Sequence, residues 1–171
     1  DYMKADVLPE SRTYEEVMEM NDVTNVMESY LTEFNAMSRK QMNLVMFLFA
    51  IEHVSRVARV IKMPGGNALL VGVGGSGRQS VTRLAANICD FEVKQIEISK
   101  QYGKVEWRDD LKLVLQAAGT GQREVLFLFT DTQIKEESFV EDINNMLNSG
   151  DVPNLFPYDE RVQITEATRP H

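Results

Sequence analysis

The feature that most constrains this chain is a glycine-rich loop between two different hydrophobic patterns, Gly72-Val73-Gly74-Gly75-Ser76-Gly77-Arg78-Gln79-Ser80. Residues 68–73 form a short continuous apolar run, which is typical of a strand buried on both faces of a parallel sheet. After the loop, apolar side chains repeat at helical spacing at Val81, Leu84, Ala85 and Ile88. Because glycines let successive N–H groups turn towards phosphate oxygens, and a helix N-terminus attracts anions, this order predicts a phosphate-binding loop.

The loop departs from the usual pattern G-x-x-x-x-G-K-[ST] at two positions, although Gly72 and Gly77 keep its spacing. Arg78 replaces the lysine and keeps the charge in a wider, planar group. Gln79 replaces the hydroxyl that would bind Mg²⁺, and Ser80 comes one residue late, so it should point elsewhere on the helix. A glycine-rich turn without a ligand remains the alternative.

A second apolar run, residues 125–129, ends at Thr130 and Asp131. A buried strand followed by a carboxylate has the form of a Walker B segment, so we expect Asp131 to hold Mg²⁺ through water. The next residue is Thr132, whose hydroxyl is a poor general base at neutral pH. A carboxylate that only caps a turn at the strand end is the alternative.

The chain divides by pattern into an irregular lead-in (1–20), a helical segment (21–63) and a core (64–171). We expect two amphipathic helices in the second segment, the first capped by Asn21 or Asp22 and the second beginning at the capping box Ser38–Gln41. In the core, strands are expected at 68–73, 93–98 and 125–129. Helices should follow each strand, and a last short helix should span 159–168. This alternation predicts an α/β layered fold with parallel strands.

Helix limits in the core are also predicted by local signals. The stripe that begins at Trp107 should stop at Gly119 and Gly121, and the next helix should begin at the capping box Ser138–Glu141.

Composition excludes several classes of function. The net charge is −8 without a basic face, which argues against a nucleic-acid partner. The most apolar run, residues 44–51, is far shorter than the roughly 20 residues of a membrane span. The single cysteine, Cys89, excludes an internal disulfide and a four-ligand zinc site and favours a reducing compartment. Because the chain starts at Asp1 rather than Met, we expect it to be a fragment of a longer protein.

Several strings of the sequence resemble the fourth AAA+ module of axonemal dynein heavy chains. The resemblance covers most of the chain and rests on residues 51–56, 66–80, 127–134, 141–145 and 150–156. It implies a truncated P-loop NTPase (AAA+) domain of three layers, preceded by the two helices. It also implies a ring of six modules, in which the first is the main ATPase and others bind nucleotide for regulation.

Carried onto this chain, the resemblance implies that residues 72–80 hold the phosphates of ATP or ADP and that Asp131 holds Mg²⁺. Arg78 and Thr132 then argue for binding with little hydrolysis, so the expected function is a regulatory nucleotide-binding module. Two alternatives stay open. One is a structural ring segment without nucleotide, and the other is an active P-loop ATPase that uses Arg78.

The resemblance also implies partners and a location. These are neighbouring AAA+ modules of the same heavy chain and, through the parent protein, intermediate chains, light chains and microtubules. The expected location is the cytoplasm and the axoneme of a cilium or flagellum. AAA+ sheets have the strand order 5-1-4-3-2, and the fourth and fifth strands, the arginine finger and the lid would lie beyond this chain. We therefore expect residues 68–73 to have an unpaired edge, the isolated chain to be marginally stable, and ATP hydrolysis to be absent.

Overall fold

The structure is a computed structural model that describes Met3 and residues 7–8, 11–120 and 123–169. The chain forms two compact units, Asp1–Phe91 and Glu92–His171. Each unit contains its own hydrophobic core. The division into 1–20, 21–63 and 64–171 follows sequence pattern rather than compactness and stays a prediction. No helix in the described ranges is long and apolar enough to cross a membrane.

The described residues of the first unit form three α-helices, α1 (Met20–Met37), α2 (Leu48–Ile61) and α3 (Arg78–Ile88). The periodic apolar residues of the sequence make its core, in which Met27, Val54 and Leu84 are fully buried. The two predicted helices before the loop and the helix after it are therefore confirmed, but the predicted cap of the first helix is wrong, because α1 begins at Met20 and its N-cap residue is Glu19.

The predicted start of the second helix at Ser38 is wrong, because α2 begins at Leu48. Ser38 instead follows the end of α1, where its N–H donates to the Phe34 carbonyl at 2.8 Å. The Asn35 side chain then accepts from the Met42 N–H at 2.7 Å and donates to the Met42 carbonyl at 2.9 Å. These bonds pair the backbone groups of Ser38 and Met42 without a helix, and Met42 is buried in the core.

The predicted strand at residues 68–73 does not form. The segment has no regular secondary structure, and Leu69, Val71 and Val73 are 91%, 84% and 79% exposed. Only Leu70 packs partly against the first core. A buried parallel strand needs neighbours that bind its N–H and C=O groups. The described strands pair with each other and not with this segment. The predicted strand, and with it the expected unpaired strand edge, is therefore wrong for the described residues.

In the part of the second unit that the structure describes, a parallel strand pair is accompanied by three α-helices. Strands β1 (Glu92–Lys94) and β2 (Val125–Phe127) pair with Val93 opposite Leu126. The strands are shorter than predicted, and α4 (Lys104–Thr120) connects them. A helix between two parallel strands confirms the predicted α/β class.

The remaining helices follow β2. They are α5 (Glu137–Ser149) and α6 (Tyr158–Thr168), and both were expected from the sequence. Two details of the prediction are wrong: α4 runs through Gly119, and α5 starts after Glu136 without a side-chain cap from Ser138. Gly121, the second predicted stop, lies outside the described residues.

Aromatic packing holds the second core together. Trp107 and Phe139 are fully buried and stack with centroids 4.5 Å apart and planes 8° from parallel. The Trp107 Nε1–H donates to Asp142 Oδ2 at 2.9 Å, which satisfies the buried indole. This core ties α4 to α5, and Phe129, just after β2, also packs against Trp107.

Candidate nucleotide site

The glycine-rich loop of the first unit leads directly into α3. Gly75 and Gly77 have φ angles of +77° and +76°, in the left-handed region that side chains with a Cβ disfavour. Gly77 is also the N-cap residue of α3. At Gly74 and Gly75, an added Cβ would meet no atom within 4 Å. Gly75 and Gly77 therefore make the turn before α3, and the space beside Gly74 and Gly75 is open.

The start of α3 offers N–H donors to an anion. The Val81 N–H donates to the Gly77 carbonyl at 2.9 Å, and the N–H groups before it have no acceptor within the helix. Gly77 supplies no side-chain cap, and the first turn contains no acidic residue. This end of the helix therefore carries uncompensated partial positive charge next to the open loop.

Arg78 turns back onto its own loop. Its Nη1 donates to the carbonyl of Gly72, six residues earlier. A Cβ at Gly72 would lie 3.3 Å from Ser76 Oγ and 3.5 Å from Arg78 Nη1, so the guanidinium closely covers this glycine. The Gln79 side chain is exposed and Ser80 is partly buried. The positive charge expected in the loop is the guanidinium of Arg78, and it donates a hydrogen bond to a backbone carbonyl.

Asp131 belongs to the second unit, at the start of a 3-10 turn (Asp131–Gln133) that follows β2. Its side chain is exposed, and its Oδ1 accepts from the Thr132 N–H at 3.0 Å. Its Oδ2 accepts no hydrogen bond from the described residues. The Thr132 hydroxyl lies 3.0 Å from the Thr130 hydroxyl, so it is engaged within the turn.

Gln133 is a residue that the sequence reasoning missed. It is 4% exposed, and its Oε1 accepts from the Thr130 N–H at 2.7 Å and from the Thr130 hydroxyl at 3.0 Å. Its Nε2 donates to the carbonyl of Ile96, in the segment after β1. The spacing Thr-x-x-Gln at 130–133 is a capping-box signal that could have revealed it.

The residues present fit Mg²⁺ only in the form that nucleotide sites use. The described part of the chain contains no group of three or more His, Cys, Asp or Glu that could hold a metal alone. Mg²⁺ is commonly bound through one or two carboxylates together with substrate phosphates. Asp131 provides one such carboxylate oxygen that accepts no hydrogen bond from the described residues.

A separate cavity of about 1060 Å³ lies in the first unit, between residues 13–23 and α2. Its lining mixes acidic side chains such as Glu16 and Asp22 with basic ones such as Arg56 and Arg59. None of residues 72–80 lines it. This cavity is therefore not part of the predicted phosphate-binding loop.

Comparison with known proteins gives consistent matches. The family model described as "P-loop containing dynein motor region D4" matches residues 42–171. Dynein axonemal heavy chain 3 of Mus musculus is 52% identical over 168 residues, or 97% of this chain. The heavy chains 6 and 1 of Homo sapiens are each 49% identical, over 99% and 94% of this chain. The chain spans only 4% of the length of each of these relatives.

Proposed function

The chain belongs to the family of the P-loop-containing dynein motor region D4, and on that premise we propose that it is a regulatory nucleotide-binding module. In this proposal residues 72–80 bind the phosphates of ATP or ADP, and Asp131 contributes to Mg²⁺ binding through water. The site senses nucleotide and passes its state to the neighbouring AAA+ modules of an axonemal dynein heavy chain. It turns over little nucleotide itself.

One observation carries the binding part of the proposal. The left-handed Gly75 and Gly77 open a loop directly onto the uncapped N-terminus of α3. Backbone donors and the helix dipole favour a phosphate there without any particular side chain. In the second unit, one carboxylate oxygen of Asp131 accepts no hydrogen bond from the described residues, and we propose it as a partner of hydrated Mg²⁺.

The side chains around the two motifs support slow turnover. Hydrolysis needs a group that orients and activates the attacking water, for which a carboxylate is suited. Thr132 stands at that position, and its hydroxyl is already paired with Thr130. Arg78 would have to leave the Gly72 carbonyl before its charge could stabilise a transferring phosphoryl group.

The Arg78–Gly72 contact also favours a second candidate function. If the guanidinium holds the loop closed on itself permanently, the chain is a structural segment of the ring without nucleotide. No contact in the described ranges favours the third possibility, an active ATPase that uses Arg78.

The location and further partners follow from the same premise. The named relatives are axonemal heavy chains, so we place the chain at the cytoskeleton of the axoneme, in a cilium or flagellum. Intermediate chains, light chains and microtubules are partners of the whole motor, and we propose them for this chain only through that motor.

The test is the affinity of the chain for fluorescent ATP and ADP, with Mg²⁺ and with EDTA, beside a phosphate-release assay. We expect saturable binding below millimolar nucleotide and negligible release. Gly74→Val should abolish binding. The backbone at Gly74 is not left-handed, so it can accept a valine, but the valine side chain would occupy the open space over the loop. Gly103→Ala is the matched control, since its Cβ makes only ordinary contacts in the other unit.

Two outcomes contradict the proposal in different ways. Absence of binding at millimolar nucleotide leaves the structural segment as the function. Steady phosphate release that Gly74→Val abolishes means that the site is an active ATPase.

A further inference from the structure

We propose that Arg78 is a positioning residue of the phosphate-binding loop, because its guanidinium joins the start of the loop at Gly72 to the first turn of α3. This inference rests on the proposed nucleotide site and assigns a new role to one of its residues. The lysine of the usual motif reaches the β- and γ-phosphates. In this proposal Arg78 instead binds the backbone of its own loop, and the phosphate is left to backbone N–H groups.

The base of the Arg78 side chain is fixed by α3. Arg78 is the first residue of this helix, and its carbonyl accepts a hydrogen bond from the Thr82 hydroxyl at 2.9 Å. Further along the same helix, Leu84 and Ala85 are fully buried in the first core. The guanidinium therefore extends from a well-packed part of the first unit.

The residues on the other side of the loop have less support. Residues 66–73 have no regular secondary structure, and among their side chains Leu70 packs partly against the first core. Near the end of this segment, the Gly72 carbonyl accepts a hydrogen bond from Arg78 Nη1. We call this contact the Arg78–Gly72 tether. It connects the irregular segment to the packed helix across the loop.

The surroundings of Gly72 suit the tether. A Cβ at Gly72 would lie 3.5 Å from Arg78 Nη1 and 3.6 Å from Arg78 Cδ, so both the guanidinium and the aliphatic stem pass close to this glycine. Within the loop, the Ser76 N–H donates to the Val73 carbonyl at 3.3 Å. The two sides of the loop are therefore joined by a backbone turn and by the Arg78 side chain.

The tether leaves open the side of the loop on which the glycines are exposed. A Cβ added at Gly74 or Gly75 would meet no atom within 4 Å, and this includes every atom of Arg78. The loop can therefore offer backbone donors and the start of α3 to an anion while the guanidinium stays on Gly72. A hydrogen bond from a charged donor is stronger than a neutral one, which suits a single side chain that holds a loop.

Order in the loop before binding raises affinity, because less conformational entropy is lost in the binding step. Fixing the backbone of one residue has a cost that corresponds to about tenfold in affinity. Loss of the tether should therefore weaken phosphate binding by about that factor. Loss of a direct contact between Arg78 and phosphate would also weaken binding, so the experiment must separate order from charge.

The experiment uses the full chain and two measurements. NMR order parameters of the amides of residues 72–75 report the fast motion of the loop without any ligand. Titration with fluorescent ADP in EDTA reports phosphate binding without metal. Circular dichroism checks that each variant is folded.

Three variants separate the roles of Arg78. Arg78→Met removes the charge and the donors, whereas Arg78→Lys keeps the charge on a shorter side chain without the planar fork. Arg56→Met is the matched control, because it removes another arginine of the first unit, whose side chain is 61% exposed and pairs with Glu52 on its own helix. If Arg78→Met is unfolded, Arg78→Gln replaces it.

We expect order parameters near 0.85 for residues 72–75 in the unsubstituted chain and values below about 0.6 in Arg78→Met. The affinity for ADP in EDTA should fall about tenfold in Arg78→Met. Arg56→Met should change neither measurement. Arg78→Lys should lose order and affinity together or keep both together, because affinity follows the order of the loop rather than the charge.

Other outcomes overturn the inference. Low order parameters in the unsubstituted chain, or high ones in Arg78→Met, would show that the tether does not order the loop. Full affinity in an Arg78→Lys variant with a mobile loop would show that the charge acts on phosphate directly. These results leave the nucleotide site standing. If the unsubstituted chain binds no ADP, the proposed function fails, and this role of Arg78 fails with it.

Discussion

Truncation of Phe139 to alanine should strongly destabilise the second unit. Phe139 is fully buried, stacks on Trp107 at 4.5 Å and meets the edge of Tyr102 at 6.2 Å. Removing a buried phenylalanine side chain typically costs about 3–5 kcal/mol. We expect a loss in the upper part of that range, because a stacked aromatic pair contributes about 0.5–1.5 kcal/mol beyond burial. The free energy of unfolding of such a domain is about 5–15 kcal/mol in total, so this substitution would remove a large part of it.

The chain contains its own reporter for this change, because Trp107 is the single tryptophan and lies against Phe139. Urea unfolding followed by its fluorescence gives the midpoint and slope for the second unit. The matched control is Val140→Ala, the next residue of α5, whose side chain is 45% exposed. We expect the control to change the free energy of unfolding by no more than about 0.5 kcal/mol. A loss below about 1 kcal/mol for Phe139→Ala, or equal losses for both variants, would refute the stacked core.

Two further predictions concern pH and solubility. Burial, and then the hydrogen bond to Asp110 and its charge, raise the pKa of Tyr102 above its ordinary value of 10.0. The folded state therefore keeps the proton while the unfolded chain loses it, and the free energy of unfolding should fall as the pH rises above about 10. Urea midpoints between pH 8 and 11 should show a smaller fall in Tyr102→Phe, and an equal fall would contradict the assignment. Leu69→Asp and Val71→Asp should leave the unfolding midpoint nearly unchanged, because both side chains are exposed, and should reduce self-association in light scattering. Greater aggregation, or a large loss of stability, would mean that these side chains are packed.

The parts of the fold that the sequence predicts are those governed by local periodicity. Helix α3 and its buried face follow from the spacing of Val81, Leu84 and Ile88, whose contacts lie within the same unit. The segment 68–73 has an equally clear apolar pattern but no strand. The apolar pattern shows which side chains a strand there would bury. Whether the strand forms depends on a neighbouring strand, which the described sheet does not provide.

Capping signals show the same limit at the level of single residues. The patterns at Ser38–Gln41, Ser138–Glu141 and Thr130–Gln133 have equal spacing, and only the last forms the reciprocal bonds. At Ser38 the backbone is satisfied by the end of α1. At Thr130 the box is stabilised by a partner distant in sequence, the Ile96 carbonyl. The spacing at 130–133 is enough to indicate the capping box, but it cannot reveal this distant partner.

The irregular residues 66–73 have a thermodynamic consequence for the loop that follows them. Restricting the backbone of one residue to a single conformation costs about 1–2 kcal/mol, so a ligand that orders this segment as it binds loses part of its intrinsic affinity. A strand that paired with residues 68–73 would order the segment first and remove that entropic cost. Phosphate binding and strand pairing are then linked equilibria. If strand pairing raises the affinity for phosphate by some factor, bound phosphate raises the affinity of residues 68–73 for that strand by the same factor.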